Sequence, residues 1–197
     1  AEGMSQLSQN LHRCFRNHLC RGKFKNEVRP VLVNSWEADY FNFTVESLLK
    51  LGREAAKLGI EMLVLDDGWF GERNDDNTSL GDWVVNEKKL GCTMGELIGK
   101  INDLGLKFGL WIEPEMVSED SDLYREHPDW ALQIPKRHPV RGRNQLVLDF
   151  SRKEIRDHVF DQICSVLDQG KVDYIKWDMN RSISDIYSSE TKEQGKV

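Results

Sequence analysis

From residue 30 onward, short apolar runs alternate with amphipathic stretches. The runs are Val31-Leu32-Val33, Ile60 to Leu65, Lys107 to Ile112 and Val172 to Ile175. Each is bounded by glycine, proline or polar residues and is too short for an ordinary helix. Largely apolar character without regular alternation predicts strands of a parallel sheet covered on both faces. Between them the period changes to that of a helix. Thr44 precedes Val45, Leu48, Leu49, Ala55 and Ala56, and Gly59 is placed to stop that helix. Thr93-Met94-Gly95-Glu96 reads as a capping box ahead of Leu97, Ile98, Ile101 and Leu104. Ser151-Arg152-Lys153-Glu154 reads as another, ahead of Ile155, Val159, Ile163 and Leu167, with Gly170 at that helix's end.

Leu7, Leu11, Phe15 and Leu19 have helical spacing before Gly22, which predicts a helical lead-in over 1–28 and a strand-helix domain over 29–197. Residues 72–91 read as a long polar loop containing Asp82-Trp83, and loops of such length tend to be functional. A short helix is expected over Ser121 to Glu126, halted by Pro128, and a further short strand over Leu146 to Phe150.

This order of elements predicts an α/β fold with right-handed crossovers and a parallel sheet. No glycine-rich phosphate turn follows the first strand, which favours a (β/α)8 barrel over a doubly wound sheet. A whole barrel takes roughly 250 residues. Four strands in 197 residues predict the N-terminal half of a barrel, with the later strands outside this chain.

Charge and composition narrow the function. A net charge of -6, from 27 basic and 33 acidic residues mixed along the chain, provides no basic stripe for nucleic acid. No apolar run approaches the length of a membrane span. The cysteines Cys14, Cys20, Cys92 and Cys164 lack metal-ligand spacing and read as reduced thiols of a cytoplasmic protein. Six tryptophans are many for this length, and a flat ring can support a sugar face as well as fill a core.

The chemistry gathers at strand ends. Lys176 and Asp178 lie two apart, so on a strand they share a side. Lys176 would favour the ionised form of Asp178, as a nucleophile requires; a buried ion pair at a strand end is the alternative reading. Asp66-Asp67-Gly68-Trp69 closes the second strand, and two adjacent carboxylates repel unless something binds there. A ligand site is the favoured reading over a solvated turn, and no metal is assigned because no histidine or further carboxylate completes a shell. Trp111, Glu113 and Glu115 close the third strand, while Arg137, Arg141 and Arg143 concentrate charge in an irregular stretch.

In this order the motifs resemble the bacterial and fungal α-galactosidases of glycoside hydrolase family thirty-six. The resemblance is carried by Arg29-Pro30-Val31-Leu32 with Asn34 and Trp36-Glu37-Ala38, Leu65 through Gly71, Gly109 through Val117, His127-Pro128-Asp129-Trp130, Arg143-Asn144-Gln145, and Lys176-Trp177-Asp178-Met179-Asn180. It implies retaining cleavage of terminal α-linked galactose from melibiose or raffinose-type sugars, without metal or cofactor. Asp178 becomes the nucleophile, and Asp66 and Asp67 the acceptors for galactose O4 and O6. Trp111 would wall the pocket, and Lys176, Arg143 and Asn180 would bind ring hydroxyls. In the family the acid/base stands on a later strand without counterpart here, so the isolated chain is expected to be inactive. Residues 1–28 resemble the connection from an N-terminal β domain. The family also implies a homo-oligomer and includes raffinose and stachyose synthases, so galactosyl transfer stays open beside hydrolysis. A non-catalytic galactose-binding role stays open too.

Overall fold

The computed structural model describes residues 3–188 and 190. The chain divides into two units, Ala1–Val31 and Leu32–Val197. In the first, helix α1 (Gly3–Cys14) passes into a wider turn over Phe15–Leu19, closed by Cys20 N–H on the Phe15 carbonyl at 2.8 Å. The expected apolar stripe of Leu7, Leu11, Phe15 and Leu19 is solvent-exposed.

The second unit carries four parallel strands in the spatial order β1 (Leu32–Asn34), β2 (Met62–Leu65), β3 (Lys107–Ile112) and β6 (Tyr174–Trp177). Spatial order follows chain order, as in half of a (β/α)8 barrel. Between β1 and β2 come α2 (Trp36–Asp39) and α3 (Val45–Lys57), and between β2 and β3 come α4 (Glu87–Leu90) and α5 (Met94–Asp103). Between β3 and β6 lie the antiparallel pair β4 (Met116–Val117) and β5 (Leu146–Val147), α6 (Asp122–Glu126) and α7 (Lys153–Leu167).

Two of the helix starts are built as their sequences predict. Thr44 accepts from Ser47 N–H and Thr93 from Glu96 N–H, with the reciprocal side-chain bond present in both. The expected box at Ser151 is absent. Helix α7 starts one residue later, with Arg152 at its cap and no side-chain cap bond, and the Ser151 hydroxyl donates to Asp149 at 2.6 Å. The same Asp149 oxygen, two residues upstream, also accepts the Ser151 N–H at 3.1 Å, a local turn that holds Ser151 outside the helix start. Gly170 does not cap α7 either. A side chain there would come 2.7 Å from Ile98 of α5, so the glycine serves a close approach.

Strand β3 spans its whole run, β2 starts two residues into its own, and β1 and β6 run on into the polar residues Asn34 and Lys176. The run ending at Asp178 reads as a buried strand, but β6 is a sheet edge, with Tyr174, Ile175 and Trp177 exposed. Loop 72–91, polar by composition, is pinned by Leu80 and Trp83, both buried. Its Asp82 carboxylate accepts the N–H groups of Asp122 and Leu123 at the start of α6.

Register decides which side chains share a face. Leu65 pairs with Leu110 and Leu110 with Ile175, while Trp111 pairs with Lys176. Side chains alternate along a strand, so Asn34, Val64, Asp66, Gly109, Trp111, Lys176 and Asp178 fall on one face. Leu63, Leu65, Phe108 and Leu110 fall on the other, buried, with α5 against β3. Gly109 lies between Val64 and Tyr174, where a Cβ would stand 2.9 Å from one and 3.0 Å from the other.

Candidate active site

Asp66, Trp111 and Asp178 lie at the same, C-terminal end of the sheet, as a barrel requires. Asp66 is buried and highly coordinated. Its Oδ2 accepts from Lys176 Nζ at 2.9 Å and from Asn34 Nδ2 at 2.6 Å, and its Oδ1 accepts from Asp67 N–H at 2.9 Å. Lys176 therefore bridges from β6 to the end of β2 and pairs with Asp66, although it is next to Asp178 in sequence. Strand order, which places β3 between those partners, makes this pairing invisible to local spacing.

The repulsion between Asp66 and Asp67 is answered by the protein's own cations. Arg73, at 1% exposure, donates from Nε to Asp67 Oδ1 at 3.0 Å and from Nη2 to Oδ2 at 2.8 Å. Its Nη1 donates to the Thr78 carbonyl at 2.9 Å. Lys89 braces the same turn through the Gly68 and Arg73 carbonyls, at 2.8 and 2.6 Å. Burial pushes the Asp67 carboxyl above the ordinary range, more than the Arg73 guanidinium pulls it down. An ionised carboxylate offers about four acceptor sites. Asp67 spends two on Arg73 and Asp66 spends three on its neighbours, so each retains capacity for an incoming hydroxyl.

Asp178 is held differently. Its Oδ2 accepts from Trp111 Nε1 at 2.9 Å and Asn180 Nδ2 at 2.8 Å, and its Oδ1 accepts from Met179 N–H at 2.9 Å. Burial pushes this carboxyl up, but the three donors and the Lys176 charge outweigh it, and it sits below the ordinary aspartate range. Asp178 is therefore ionised at neutral pH without a cation in direct contact. Trp111 is fixed in turn, because its carbonyl accepts from Trp69 Nε1 at 3.0 Å and its ring stacks parallel to Phe70.

Glu113 is fully buried. Its Oε1 accepts from Asn180 N–H and its Oε2 from Gln145 Nε2 at 3.1 Å. Glu115 accepts from Trp177 Nε1 at 2.9 Å. Arg143 is the expected residue that these contacts do not gather. It is exposed, at positive φ with Asn144, on the two-residue turn between Gly142 and Gln145. Among the described residues it donates no hydrogen bond to the site carboxylates. Arg73 is the residue that sequence reasoning misses; the signal was there as an unexplained charge six residues beyond a carboxylate pair that required one.

Among the described residues no group of three or more His, Cys, Asp or Glu side chains could hold a metal, and no helix is long and apolar enough to cross a membrane. A cavity of about 740 Å³ lies elsewhere, lined by residues such as Glu72, Asp82, Asp122, Arg125 and His158, and contains none of the strand-end carboxylates.

A parallel sheet with ionised and ion-paired carboxylates converging at its strand ends defines a (β/α)-barrel site of carboxylate chemistry. The chain belongs to the melibiase family, whose model matches residues 1–197. It is 66% identical over 188 residues to the bifunctional alpha-galactosidase/sucrose kinase AgaSK of Mediterraneibacter gnavus, covering 95% of this chain and 20% of that protein. The structure of the galactosidase domain of AgaSK superimposes with a TM-score of 0.90, covering 95% of this chain and 26% of that one. The GH36 alpha-galactosidase AgaA from Geobacillus stearothermophilus, 52% identical, also gives a TM-score of 0.90, with 95% of this chain and 26% of that chain covered. A variant of AgaA in complex with raffinose is 51% identical, with a TM-score of 0.91 over 96% of this chain and 26% of that one. The chain thus spans about a quarter or less of the length of these relatives.

Proposed function

We propose that this chain carries the nucleophile side of a retaining α-galactosidase active site. Family membership and the α-galactosidase names of its relatives support the activity. The observation that carries the residue assignment is Asp178, ionised and aimed by three neutral N–H donors.

In the reaction, an Asp178 carboxylate oxygen attacks the anomeric carbon and the bond to the leaving oxygen breaks. That oxygen takes a proton from a carboxylic acid, and water then releases galactose from the aspartyl ester. Glu113 and Glu115 are poor candidates for the acid. Glu113 is sealed from solvent with both oxygens accepting N–H groups, and Glu115 faces the Trp177 indole. We therefore place the acid outside the described residues. Asp66 and Asp67 accept hydroxyl donors from the sugar, and Lys176 and Asn180 offer donors to its ring hydroxyls. Galactose, with its axial O4, fits a pair of adjacent acceptors better than glucose does. Raffinose and melibiose are the proposed natural substrate class.

An activated fluorinated α-galactoside tests this in the full-length protein, because it forms the ester faster than it loses it. Peptide mapping should find the sugar on Asp178. A label on Asp66 or Glu113, or none on a protein that turns over α-galactosides, overturns the assignment.

A further inference from the structure

We propose that Glu113 is a positioning residue for the nucleophile, tying the loop after β6 to the turn that bears Arg143. This rests on the reading of Asp178 as the attacking carboxylate. A fully buried carboxyl two residues beyond Trp111 adds nothing to a hydrophobic core, and burial pushes it above the ordinary carboxylate range, with the Asp178 charge adding to the rise. A buried carboxyl has to be satisfied by its neighbours, and its two oxygens show which ones it holds.

Oε1 accepts the backbone N–H of Asn180, whose side chain donates to Asp178 Oδ2 at 2.8 Å. Oε2 accepts from Gln145, which closes the two-residue turn carrying Arg143 and Asn144. Arg181 closes the circuit from the far side, donating to the Gln145 carbonyl at 2.7 Å and the Val140 carbonyl at 2.6 Å. One carboxylate thus fixes two segments separated by more than thirty residues of sequence, one aiming the nucleophile and the other presenting a guanidinium. Gln145 also holds a buried Oε1 with no hydrogen-bond partner among the described residues. If the carboxylate at 113 were replaced by an amide, Gln145 could turn its own amide over and use that oxygen to accept. The network therefore predicts which substitution it tolerates.

The test compares Glu113→Ala and Glu113→Gln in the full-length protein, measuring kcat and KM on an aryl α-galactoside and the rate of Asp178 labelling. Glu113→Ala should lower kcat and the labelling rate together by about 10²-fold, the scale of a misplaced reacting group, with KM little changed. Glu113→Gln should recover most of that loss. Parent-like kcat in Glu113→Ala overturns the proposal, and so does a Glu113→Gln variant as slow as Glu113→Ala, or a loss confined to KM. Should Glu113→Ala fail to fold, Glu113→Asp decides, because the shorter side chain withdraws the acceptor from Asn180. A kcat loss with KM held supports the proposal, and parent-like kcat sinks it. An unsubstituted protein inert toward α-galactosides would instead remove the proposed function itself.

Discussion

The carboxylates at the ends of β2 and β6 are stabilised by opposite means. Asp67 has a bidentate guanidinium and still titrates above the ordinary range, whereas Asp178 has only neutral donors in direct contact and titrates below it. Depth explains the reversal. Asp67 is 6% exposed and loses more to desolvation than Arg73 returns, while Asp178 is half-buried and keeps part of its hydration. A carboxylate locked to a cation makes a rigid acceptor and a poor nucleophile, since the cation competes for its electron pairs. One held by N–H groups keeps its charge and its direction. The same residue type thus serves for recognition in one place and attack in the other.

The sharpest way to break this contrast is Asp178→Asn, which preserves shape and removes the charge. Turnover of an aryl α-galactoside should fall by on the order of 10⁴- to 10⁶-fold, the scale seen when an attacking or activating group is deleted elsewhere. A fall no larger than that of Asp66→Asn would mean the two carboxylates do not differ in role.

Next in size is Arg73→Met. Removing one partner of a buried ion pair strands the other, at about 3–5 kcal/mol. Urea unfolding should show this loss, and unchanged stability would mean that water or Lys89 already satisfies Asp67.

Asp67→Asn keeps one acceptor and changes the other atom to a donor. It should cost about 1–3 kcal/mol in discrimination between galactosides and glucosides, one well-placed buried hydrogen bond. The ratio of kcat/KM values measures it, and an unchanged ratio takes Asp67 away from O4.

The smallest effect is a pH dependence from Lys89. Burial lowers its folded-state value to about 8 from the ordinary 10.5. Between those values the folded chain binds fewer protons than the unfolded one, so this group makes stability rise as pH increases through that window. Below it the cost of burying the charge is present in full. Lys89→Met should flatten the rise, as followed by thermal unfolding at a series of pH values.

Much of this site can be read from the sequence because it is local. Lys176 and Asp178 share a face by strand alternation, and Asp66-Asp67 and Trp111 stand where apolar runs stop. The pairings could not be read. Lys176 meets Asp66 across an intervening strand, a consequence of register, and Arg73 reaches Asp67 from a loop that has no period to betray its direction. The Ser151 capping box fails for a related reason: a four-residue pattern does not show that Asp149, outside it, holds both the Ser151 hydroxyl and its N–H. An apolar run reports what a strand can bury, and β6 is exposed because it is the last strand of the described sheet.

The hydrogen bond from Trp111 to Asp178 gives the protein a built-in reporter. An indole N–H that donates to a carboxylate resonates and emits differently from one that donates to an ester. Capture of Asp178 by a sugar, or its protonation in acid, would weaken that bond while leaving the Trp69 N–H on the Trp111 carbonyl. The occupancy of the covalent state could then be followed through one tryptophan side chain, in real time and without a chromogenic leaving group.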